Sequence, residues 1–482
     1  MGRPIRFLLD GEVRELTDVD PTLTVLNWLR YDARRTGTKE GCAEGDCGAC
    51  TVVLAELHGG RVRFLAANTC ILFAPMLEGK ALFTVESLAR GGALHPVQRA
   101  MADLHGSQCG FCTPGFVMSL YAHQREGAAS DTASLKDALA GNLCRCTGYG
   151  PILAAGQAMG ADPDAADLPG LAKALQAIRS DEPLEIAHRG ARFSAPRTLA
   201  QFAAAVLERP DAVILAGGTD VGLWVTKQHR PLPDIISISD VAELDRVEDL
   251  GGAIRIGAGV RYVDAQGPLA ALHPEFGGLL RRLGGLQVRN LGSVCANIAN
   301  GSPIGDMPPA LIAAGATLVL RRGEASRQIP LEDYFLAYGK QDRRSGEFVE
   351  AVVVPKLPAG QVFRLFKLSK RFDQDISAVC AAFAISVENG AVTAARIAFG
   401  GMAATPKRAL ACEAALIGQP WTEAAVRAAT QALADDFQPI TDMRASAGYR
   451  LEAARNLLLK TFLEADQPTA PRLIDAQAVA HA

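Results

Sequence analysis

Cysteines near the N-terminus are the residues of this sequence whose spacing most clearly indicates chemistry. Cys42, Cys47 and Cys50 follow the pattern C-x4-C-x2-C, and Cys70 comes after 19 intervening residues. This is the plant-type ferredoxin spacing for one [2Fe–2S] cluster. The loop also holds glycines that suit a tightly curled backbone, namely Gly41, Gly45 and Gly48. Zinc also accepts four thiolates but favours paired C-x2-C knuckles, so the spacing of this first cysteine set favours iron.

A second cysteine set follows. Cys109 and Cys112 are separated by two residues, Cys144 and Cys146 by one, and 31 residues lie between the two pairs. Both pairs lie at expected helix boundaries, where free backbone amides stabilise negative charge. Alone this pattern fits zinc and iron equally well, and beside a ferredoxin-type set it favours a second [2Fe–2S] cluster. The remaining cysteines are scattered and receive no role: Cys295, Cys380 and Cys412.

Two glycine-containing stretches have the composition of ligand-binding loops. Residues 214–222, ILAGGTDVG, predict a strand that runs into a glycine turn, where successive amides form a nest for a pyrophosphate. A plain tight turn explains this stretch equally well, and no G-x-G-x-x-G supports a Rossmann site. In residues 291–306, hydrogen-bonding groups for hydroxyls or phosphates alternate with small residues, and a polar loop is the alternative. Those groups are Ser293, Asn297 and Asp306.

The elements expected to hold the first cysteine set form a small α+β domain. Residues 5–16 alternate in polarity around an Asp-Gly turn and predict a hairpin. A short helix around Trp28 precedes the cysteine loop, and strands at 51–57 and 61–66 follow it. The domain is expected to end near residue 83.

The period of the apolar residues becomes helical between 94 and 160, which predicts four short helices around the second cysteine set. Ser134 and Asp137 have the spacing of a capping box. Residues 161–182 are rich in Ala, Asp and Pro and predict an interdomain linker, with a surface helix as the alternative for part of the stretch.

Strands and helices mix after residue 183. Lys367 and Arg371 lie in FKLSKRFDQD, and from the residues alone a charged surface turn is the favoured interpretation. Strands are expected at 212–215, 253–256, 351–354, 383–387 and 394–399, and helices at 422–434 and 446–464.

Length and composition set outer limits. At about 150 residues per domain, 482 residues predict about three domains. With a net charge of −3, the chain lacks the excess of basic residues that is typical of nucleic-acid-binding proteins. Apolar stretches stay below the roughly 18 residues of a membrane span, and no signal-peptide core is evident. A soluble cytoplasmic protein is therefore expected.

Taken together, the cysteine motifs resemble those of the molybdenum hydroxylase family. GCAEGDCGACTV at 41–52, QCGFCTPG at 108–115 and GNLCRCTGY at 141–149 are similar to its two iron–sulfur signatures almost letter for letter. The order of iron–sulfur and then flavin segments resembles, within the family, the small subunit of the bacterial xanthine dehydrogenases. The resemblance extends over essentially the whole chain.

The resemblance implies a multidomain α+β fold. It consists of a β-grasp plant-type [2Fe–2S] ferredoxin domain, a four-helix-bundle [2Fe–2S] domain, a linker, a vanillyl-alcohol-oxidase-like FAD-binding domain, an α/β C-terminal flavoprotein subdomain and a tail. In that order the expected ranges are 1–83, 84–160, 161–182, 183–350, 357–465 and 466–482.

The resemblance also assigns residues. Each cysteine set would hold one cluster, with Gln108 and Cys146 near the pterin of a partner chain. Position 283 is often an aromatic residue that stacks on the flavin, which Leu283 cannot do. The residues implied to contact FAD are Leu215, Ala216, Gly217, Gly218, Thr219, Asp220, Val221, Leu283, Gly292, Ser293, Ala296, Asn297, Asp306, Val349 and Lys367.

Electron transfer is the function that the resemblance implies. No catalytic residue is expected on this chain, because the length leaves no room for a molybdenum domain. The molybdopterin and the purine site would belong to a large partner subunit, in a heterotetramer. Electrons from hypoxanthine or xanthine would pass through two clusters to FAD, which would reduce NAD⁺ docked near residues 367–376.

Two alternatives remain. The first is the electron-transfer subunit of another molybdenum hydroxylase, acting on an aldehyde, an N-heterocycle or carbon monoxide. The second, from a different class, is a non-enzymatic zinc-bound scaffold or an accessory protein for cofactor insertion.

Overall fold

Residues 3–467 are described by the structure, a computed structural model. The predicted tail therefore lies outside the described residues from 468 on. The chain forms two units: the first runs to Ala242 and includes Gly284–Gly292, and the second comprises Glu243–Leu283 and the chain from Ser293 onward. Within residues 3–467, no helix combines the length and the apolar character that crossing a membrane demands.

The strands of the described residues pair into five sheets. They are β1 (Ile5–Leu9), β2 (Glu12–Leu16), β3 (Thr51–His58), β4 (Arg61–Asn68), β5 (Ala81–Phe83), β6 (Leu184–His188), β7 (Ala191–Ala195), β8 (Val213–Leu215), β9 (Asp234–Ser237), β10 (Val247–Asp249), β11 (Ala253–Gly257), β12 (Thr317–Arg322), β13 (Ala325–Pro330), β14 (Phe335–Ala337), β15 (Lys340–Gln341), β16 (Phe348–Pro355), β17 (Val362–Leu368), β18 (Val379–Glu388), β19 (Ala391–Gly400) and β20 (Lys407–Arg408).

The α-helices are mostly short. They are α1 (Val25–Asn27), α2 (Pro96–Asp103), α3 (Thr113–Arg125), α4 (Thr132–Leu139), α5 (Gly150–Ala158), α6 (Leu168–Ile178), α7 (Leu199–Glu208), α8 (Val221–Thr226), α9 (Tyr262–Leu272), α10 (Pro274–Arg281), α11 (Leu286–Leu291), α12 (Val294–Asn300), α13 (Met307–Ala313), α14 (Leu410–Leu416), α15 (Glu423–Gln431), α16 (Leu433–Asp436) and α17 (Ala447–Leu463).

The first unit opens with a mixed five-stranded sheet in the order β2-β1-β5-β3-β4, in which β1 and β5 are parallel. The β1–β2 hairpin turns at Asp10 and Gly11, both with positive φ, as a two-residue hairpin loop requires. Trp28 follows α1 in a π-helical turn, and its ring meets Phe7 edge to face at 5.3 Å. The predicted hairpin, short helix and later strand pair are all present, in the strand order of a β-grasp sheet.

Helices α2–α5 are the four predicted around the second cysteine set. Helix α3 is buried along most of its length, and Phe116 and Tyr121 share a core cluster with Leu135 of α4 and Ile152 of α5. In the predicted linker, α6 places Leu175 and Ile178 in the same cluster. The helical alternative therefore applies to Leu168–Ile178.

The predicted capping box at Ser134 and Asp137 is wrong. Helix α4 begins one turn earlier, because the Asp131 carboxylate accepts hydrogen bonds from the amides of Ala133 (2.9 Å) and Ser134 (3.0 Å). An Asp at the N-cap satisfies amides that have no partner within the helix.

A second sheet of the first unit, β6-β7-β9-β8, carries parallel pairs at β7/β9 and β9/β8. The segment Gly284–Gly292 belongs to this unit although its flanks do not. Its helix α11 packs on β4, where the Asn290 side-chain amide donates to the Ala66 carbonyl at 2.9 Å.

The second unit contains two antiparallel sheets, β10-β11-β16-β12-β13 and β17-β18-β19-β20, with the hairpin β14–β15. The rings of Phe383, Phe399 and Phe437 meet edge to face and form a core with α14–α17. The strands predicted at 253–256, 351–354, 383–387 and 394–399 lie within the longer strands β11, β16, β18 and β19, whereas the strand predicted at 212–215 is the shorter β8 of the first unit. The predicted helix 422–434 is two helices, α15 and α16, while 446–464 is α17 with Ser446 as its N-cap. The multidomain α+β class is confirmed.

Replacing Asp131 by Ala is expected to destabilise α4 and to speed amide exchange in its first turn, because two helix amides lose their acceptor. Ser134→Ala is the matched control and should leave stability unchanged or slightly raised, since Ala favours helix interiors. Amide hydrogen exchange across Thr132–Leu139 measures both. A loss confined to Ser134→Ala would restore the original capping-box assignment.

Candidate iron–sulfur and flavin sites

The first cysteine set converges in the first unit. The Sγ atoms of Cys50 and Cys70 lie 3.4 Å apart, and both residues are buried. Cys42 Sγ accepts the backbone amides of Asp46 (3.4 Å) and Cys47 (3.3 Å), and its thiol also contacts those of Cys47 and Cys70. All four thiols are free of disulfides. Converging thiols with amides aimed at sulfur fit the ligand set of an iron–sulfur cluster.

Proton sharing between these thiols is strong. Contact with the Cys47 thiol holds the pKa of Cys42 well below its usual value, and the same contact raises the pKa of Cys47. The hydrogen bond from Cys70 likewise lowers the pKa of Cys50, while Cys42 and then Cys50 raise the pKa of Cys70. These contacts favour ionisation of Cys42 over Cys47 and of Cys50 over Cys70, and thiolate is the ligand form.

The loop around these sulfurs depends on left-handed backbone positions. Ala43, Gly45 and Gly48 have φ of 56°, 76° and 71°. A Cβ on Gly41 would lie 2.7 Å from Cys47 Sγ. The glycines that the sequence singled out are thus required by space and by backbone conformation.

The second cysteine set forms two contacting pairs, Cys112 with Cys144 and Cys109 with Cys146. Cys109 and Cys146 are exposed, and the other two are partly buried. Burial, followed by contact with Cys144, raises the pKa of Cys112 to about 12. The Thr147 hydroxyl donates to Cys144 Sγ at 3.2 Å, a hydrogen bond that favours the thiolate. Four free thiols in two contacting pairs fit the ligand set of a second cluster.

The two cysteine loops are joined backbone to backbone. The Leu143 amide, next to Cys144, donates to the Cys47 carbonyl at 3.0 Å. The Asn142 side-chain amide donates to the Gly48 carbonyl at 3.2 Å. A Cβ on Gly48 would lie 2.1 Å from the Gly141 carbonyl oxygen, so the loops touch without intervening side chains.

The predicted flavin loop follows β8 in the same unit. Leu215 ends the strand, residues 216–220 form the turn, and Val221 starts α8. A Cβ on Gly217 would lie 1.9 Å from the Leu291 carbonyl oxygen and 2.7 Å from the Gly292 nitrogen. The first unit thus brings the loop at residues 215–221 into contact with Gly292. The family resemblance assigns both to FAD.

This loop also packs on the first cysteine set. A Cβ on Gly222 would lie 2.6 Å from the Cβ of Ile71, the residue after Cys70. The Thr226 hydroxyl of α8 donates to the Ala43 carbonyl at 2.7 Å. The turn proposed for a flavin pyrophosphate is therefore anchored to the loop proposed for a cluster.

In the second unit, Asp306 and Lys367 form a buried ion pair with an Oδ2–Nζ distance of 2.6 Å. The Ser377 hydroxyl donates to the other carboxylate oxygen of Asp306 at 2.5 Å. The favoured interpretation of Lys367 as part of a charged surface turn is wrong, because Lys367 lies in β17 and is only 4% exposed. Arg371 is exposed, as that interpretation expected.

The remaining predicted residues of the second unit are distributed over several elements. Ser293 caps α12 by accepting the amide of Ala296 at 3.2 Å. The buried Oδ1 of Asn297, also in α12, has no hydrogen-bond partner among the described residues, which suits an atom kept for a ligand. Leu283 follows α10 and Val349 lies in β16, and both are buried.

Several residues of these sites escaped the sequence analysis. Ser377 and Thr226 are single hydroxyls without a local signal. Asn142 lies inside the quoted GNLCRCTGY motif, where its position between two cluster loops could have been suspected. Gln287, described below, follows the pair Gly284-Gly285, which marks a close backbone approach.

A grouping of metal-ligand type also lies around His95, with Asp162 and Asp164. The Nδ1 atom of His95 accepts the Val97 amide at 3.3 Å, so the neutral ring carries its proton on Nε2 and offers no lone pair there. Arg125 lies 3.2 Å from Asp162, and Arg90 lies 3.3 Å from Asp164. The grouping is therefore an ion-pair cluster rather than a metal site.

Three family models match the chain in sequence order. They are described as a [2Fe-2S] binding domain at residues 84–157, a FAD binding domain in molybdopterin dehydrogenase at 189–357, and a CO dehydrogenase flavoprotein C-terminal domain at 364–465. The FAD-binding model includes the flavin loop at 215–221 and Asp306, and the C-terminal model includes Lys367.

Curated relatives extend the match to the N-terminal residues. The chain is 32% identical to xanthine dehydrogenase of Emericella nidulans over 90% of its own length and 36% of the relative's. It is 30% identical to aldehyde oxidase 2 of Macaca fascicularis over 95% of its length and 39% of the relative's. The chain thus spans less than half the length of the curated relatives it matches.

Solved structures share the fold. Carbon monoxide dehydrogenase from Hydrogenophaga pseudoflava matches with a TM-score of 0.54 and 28% identity over 57% of this chain and 97% of that one. Quinoline 2-oxidoreductase from Pseudomonas putida 86 matches with a TM-score of 0.52 and 24% identity over 57% and 95%. The resemblance inferred from the cysteine motifs is confirmed: the chain belongs to the molybdenum hydroxylase family and corresponds to its iron–sulfur and FAD-binding portion.

Proposed function

We propose that this chain is the iron–sulfur/FAD subunit of a xanthine dehydrogenase, which carries electrons from hypoxanthine or xanthine oxidised on a partner chain to NAD⁺. The observation that carries the proposal is continuity within the first unit. The second cysteine set joins the first through the Leu143–Cys47 hydrogen bond. The first set joins the flavin loop through Thr226 and Ala43.

The two cysteine sets are proposed to hold one [2Fe–2S] cluster each. Cys42, Cys47, Cys50 and Cys70 surround the inner position, where Cys50 and Cys70 are buried. The second set lies at the surface, with Cys109 and Cys146 exposed. Thiolate ligands need a reducing compartment, which supports the cytoplasm as the location.

FAD is proposed to bind the residues that the family pattern assigns to it. When bound, it exchanges single electrons with iron–sulfur centres and pairs of electrons with NAD⁺. The glycine turn at Gly217 and Gly218 leaves backbone room for the pyrophosphate, as a nest requires. At the position where relatives stack an aromatic ring on the flavin, Leu283 offers an aliphatic side chain. Its proposed contact with the flavin is therefore van der Waals packing without ring stacking. NAD⁺ is proposed to dock near residues 367–376.

A molybdenum subunit is the proposed partner, in a heterotetramer, with the molybdopterin and the catalytic residues on the partner. Gln108 and Cys146 are exposed beside the second cysteine set, and Phe111 is 48% exposed there. An exposed aromatic residue at a cluster edge suits a protein–protein contact. The proposed domain limits remain those given from the sequence.

Another molybdenum hydroxylase is the second candidate. Aldehyde oxidase 2 is nearly as similar as xanthine dehydrogenase, and the solved structures include carbon monoxide dehydrogenase and quinoline 2-oxidoreductase. Substrate oxidation assays on the complex with its molybdenum partner separate these options, because the substrate pocket belongs to that partner.

The purified chain is expected to contain about four irons and one FAD, since each cluster holds two irons. Under anaerobic conditions, NADH should bleach the flavin absorbance before the iron–sulfur absorbance. Metal analysis and stopped-flow spectroscopy measure both. Zinc without flavin would overturn the proposal in favour of a scaffold. If NADH fails to reduce the flavin, oxygen or a quinone becomes the proposed electron acceptor in place of NAD⁺.

Cys109→Ser is expected to abolish electron flow from substrate to NAD⁺ in the complex and to spare NADH-to-dye activity. The physical reason is that the second cluster loses one ligand while the flavin and its surroundings stay intact. Cys412→Ala, in the core of the second unit and outside both sets, is the control and should keep both activities. Loss of both activities in Cys109→Ser would contradict the proposed electron path, in which the second cluster lies between the substrate and FAD but not between NADH and the dye.

Lys367→Met is expected to lower the free energy of unfolding by about 3–5 kcal/mol, because it leaves the Asp306 carboxylate buried without its counter-charge. The double variant Asp306→Asn/Lys367→Met should recover most of that stability but not FAD content. Lys370→Met, at an exposed position, is the matched control. Urea unfolding and FAD-to-protein ratios measure the two effects. Wild-type FAD content in the double variant would mean that the pair is structural only.

A further inference from the structure

The joint between the two cysteine loops is completed by a side chain from a distant segment. Gln287, in α11, is 1% exposed. Its amide nitrogen donates to Asn142 Oδ1 at 3.0 Å and to Thr51 Oγ1 at 3.1 Å, with Ser119 Oγ at 3.4 Å. One amide thus reaches the strand after Cys50, helix α3 after Cys112, and the residue that precedes Leu143.

The partners of Gln287 converge on one backbone carbonyl. The Thr51 hydroxyl donates to the Gly48 carbonyl at 2.7 Å, and the Asn142 amide donates to the same oxygen at 3.2 Å. The Ser119 hydroxyl donates to Asn142 Oδ1 at 2.7 Å and fixes that amide from the other side. Gly48 lies between Cys47 and Cys50, so this network acts on the ligand loop itself.

Packing alone does not explain a glutamine at this position. Its Oε1 is buried and has no hydrogen-bond partner among the described residues. An unsatisfied buried acceptor destabilises the folded state, and a methionine of similar volume would avoid that cost. A Cβ on Gly141 would lie 1.9 Å from that oxygen, so a glycine is also needed to accommodate it.

The segment that carries Gln287 is held by the same loop. The Leu286 amide donates to the Ala140 carbonyl at 2.6 Å, and a Cβ on Gly285 would lie 2.5 Å from the Gly141 Cα. Helix α11 ends one residue before Gly292, the proposed flavin contact. The network therefore links the flavin segment to both cysteine loops within one unit.

We propose that Gln287 is a positioning residue for electron transfer between the two clusters, which fixes Gly48 and Asn142 so that the Leu143–Cys47 hydrogen bond keeps its geometry. This inference rests on the proposed function, because it requires a cluster on each cysteine set. Gln287 contacts neither set directly and acts through Asn142 and Thr51.

Gln287→Met in the full-length chain, loaded with its cofactors, tests the proposal. Removing the amide should weaken the magnetic interaction between the two reduced clusters in electron paramagnetic resonance spectra. It should also shift the midpoint potential of the inner cluster and slow electron equilibration between the clusters several-fold. NADH-to-dye activity should remain at the wild-type level, because electrons that pass from NADH through FAD to the dye do not cross the contact between the two cysteine loops. Gln157→Met, an exposed glutamine of α5, is the matched control.

Ser119→Ala provides a second variant should Gln287→Met fail to fold. It removes one partner of Asn142 without placing a new group near either cysteine loop, and it should change the spectra and the rate in the same direction by less. Unchanged magnetic interaction, potential and rate in a folded variant would overturn the proposal. A wild-type chain with fewer than two cluster signals would instead refute the proposed function.

Discussion

The hydrogen bond from the Leu143 amide to the Cys47 carbonyl requires two loops from different domains to meet with no side chain between them. Gly48 makes that approach possible, because a Cβ there would lie 2.1 Å from the Gly141 carbonyl oxygen. Thr51 and Asn142 both donate to the Gly48 carbonyl, and the Gln287 amide donates to the side chains of Thr51 and Asn142. The β-grasp sheet and the four helices position these loops, and the cysteines on each side are placed relative to each other by a backbone contact rather than by flexible side chains.

The flavin loop also depends on close backbone contacts made possible by glycines. Its glycines meet Ile71 on one side and the Leu291–Gly292 backbone on the other, so the turn lies against the first cysteine loop and against the end of α11. The hydroxyl of Thr226 fixes the following helix to Ala43. Close backbone packing of this kind leaves little freedom for the loops to separate, which suits a protein in which distance determines rate.

The sequence identified the elements whose signals are local. Cysteine spacing, the glycines of the first loop and the alternation of the strands are properties of short segments, and the structure has them where the sequence placed them. The capping residue of α4 was misplaced by one turn, because Ser134 and Asp131 are both favoured N-cap residue types and only the structure decides between them. Lys367 looked like part of a surface turn because its partner, Asp306, is remote in sequence. Gln287 was missed for the same reason, since its partners come from three distant segments.

The first unit is discontinuous in sequence, because Gly284–Gly292 is synthesised after a segment of the second unit. A chain leaves the ribosome from its N-terminus, and domains tend to fold as they emerge. Both cysteine sets and the flavin loop therefore leave the ribosome before α11 does. Until Gly284–Gly292 arrives, Asn142 and Thr51 lack the amide that joins them in the finished protein. During that interval the Leu143–Cys47 and Asn142–Gly48 hydrogen bonds can already form, and the arrival of α11 adds the Gln287 amide that completes the contact.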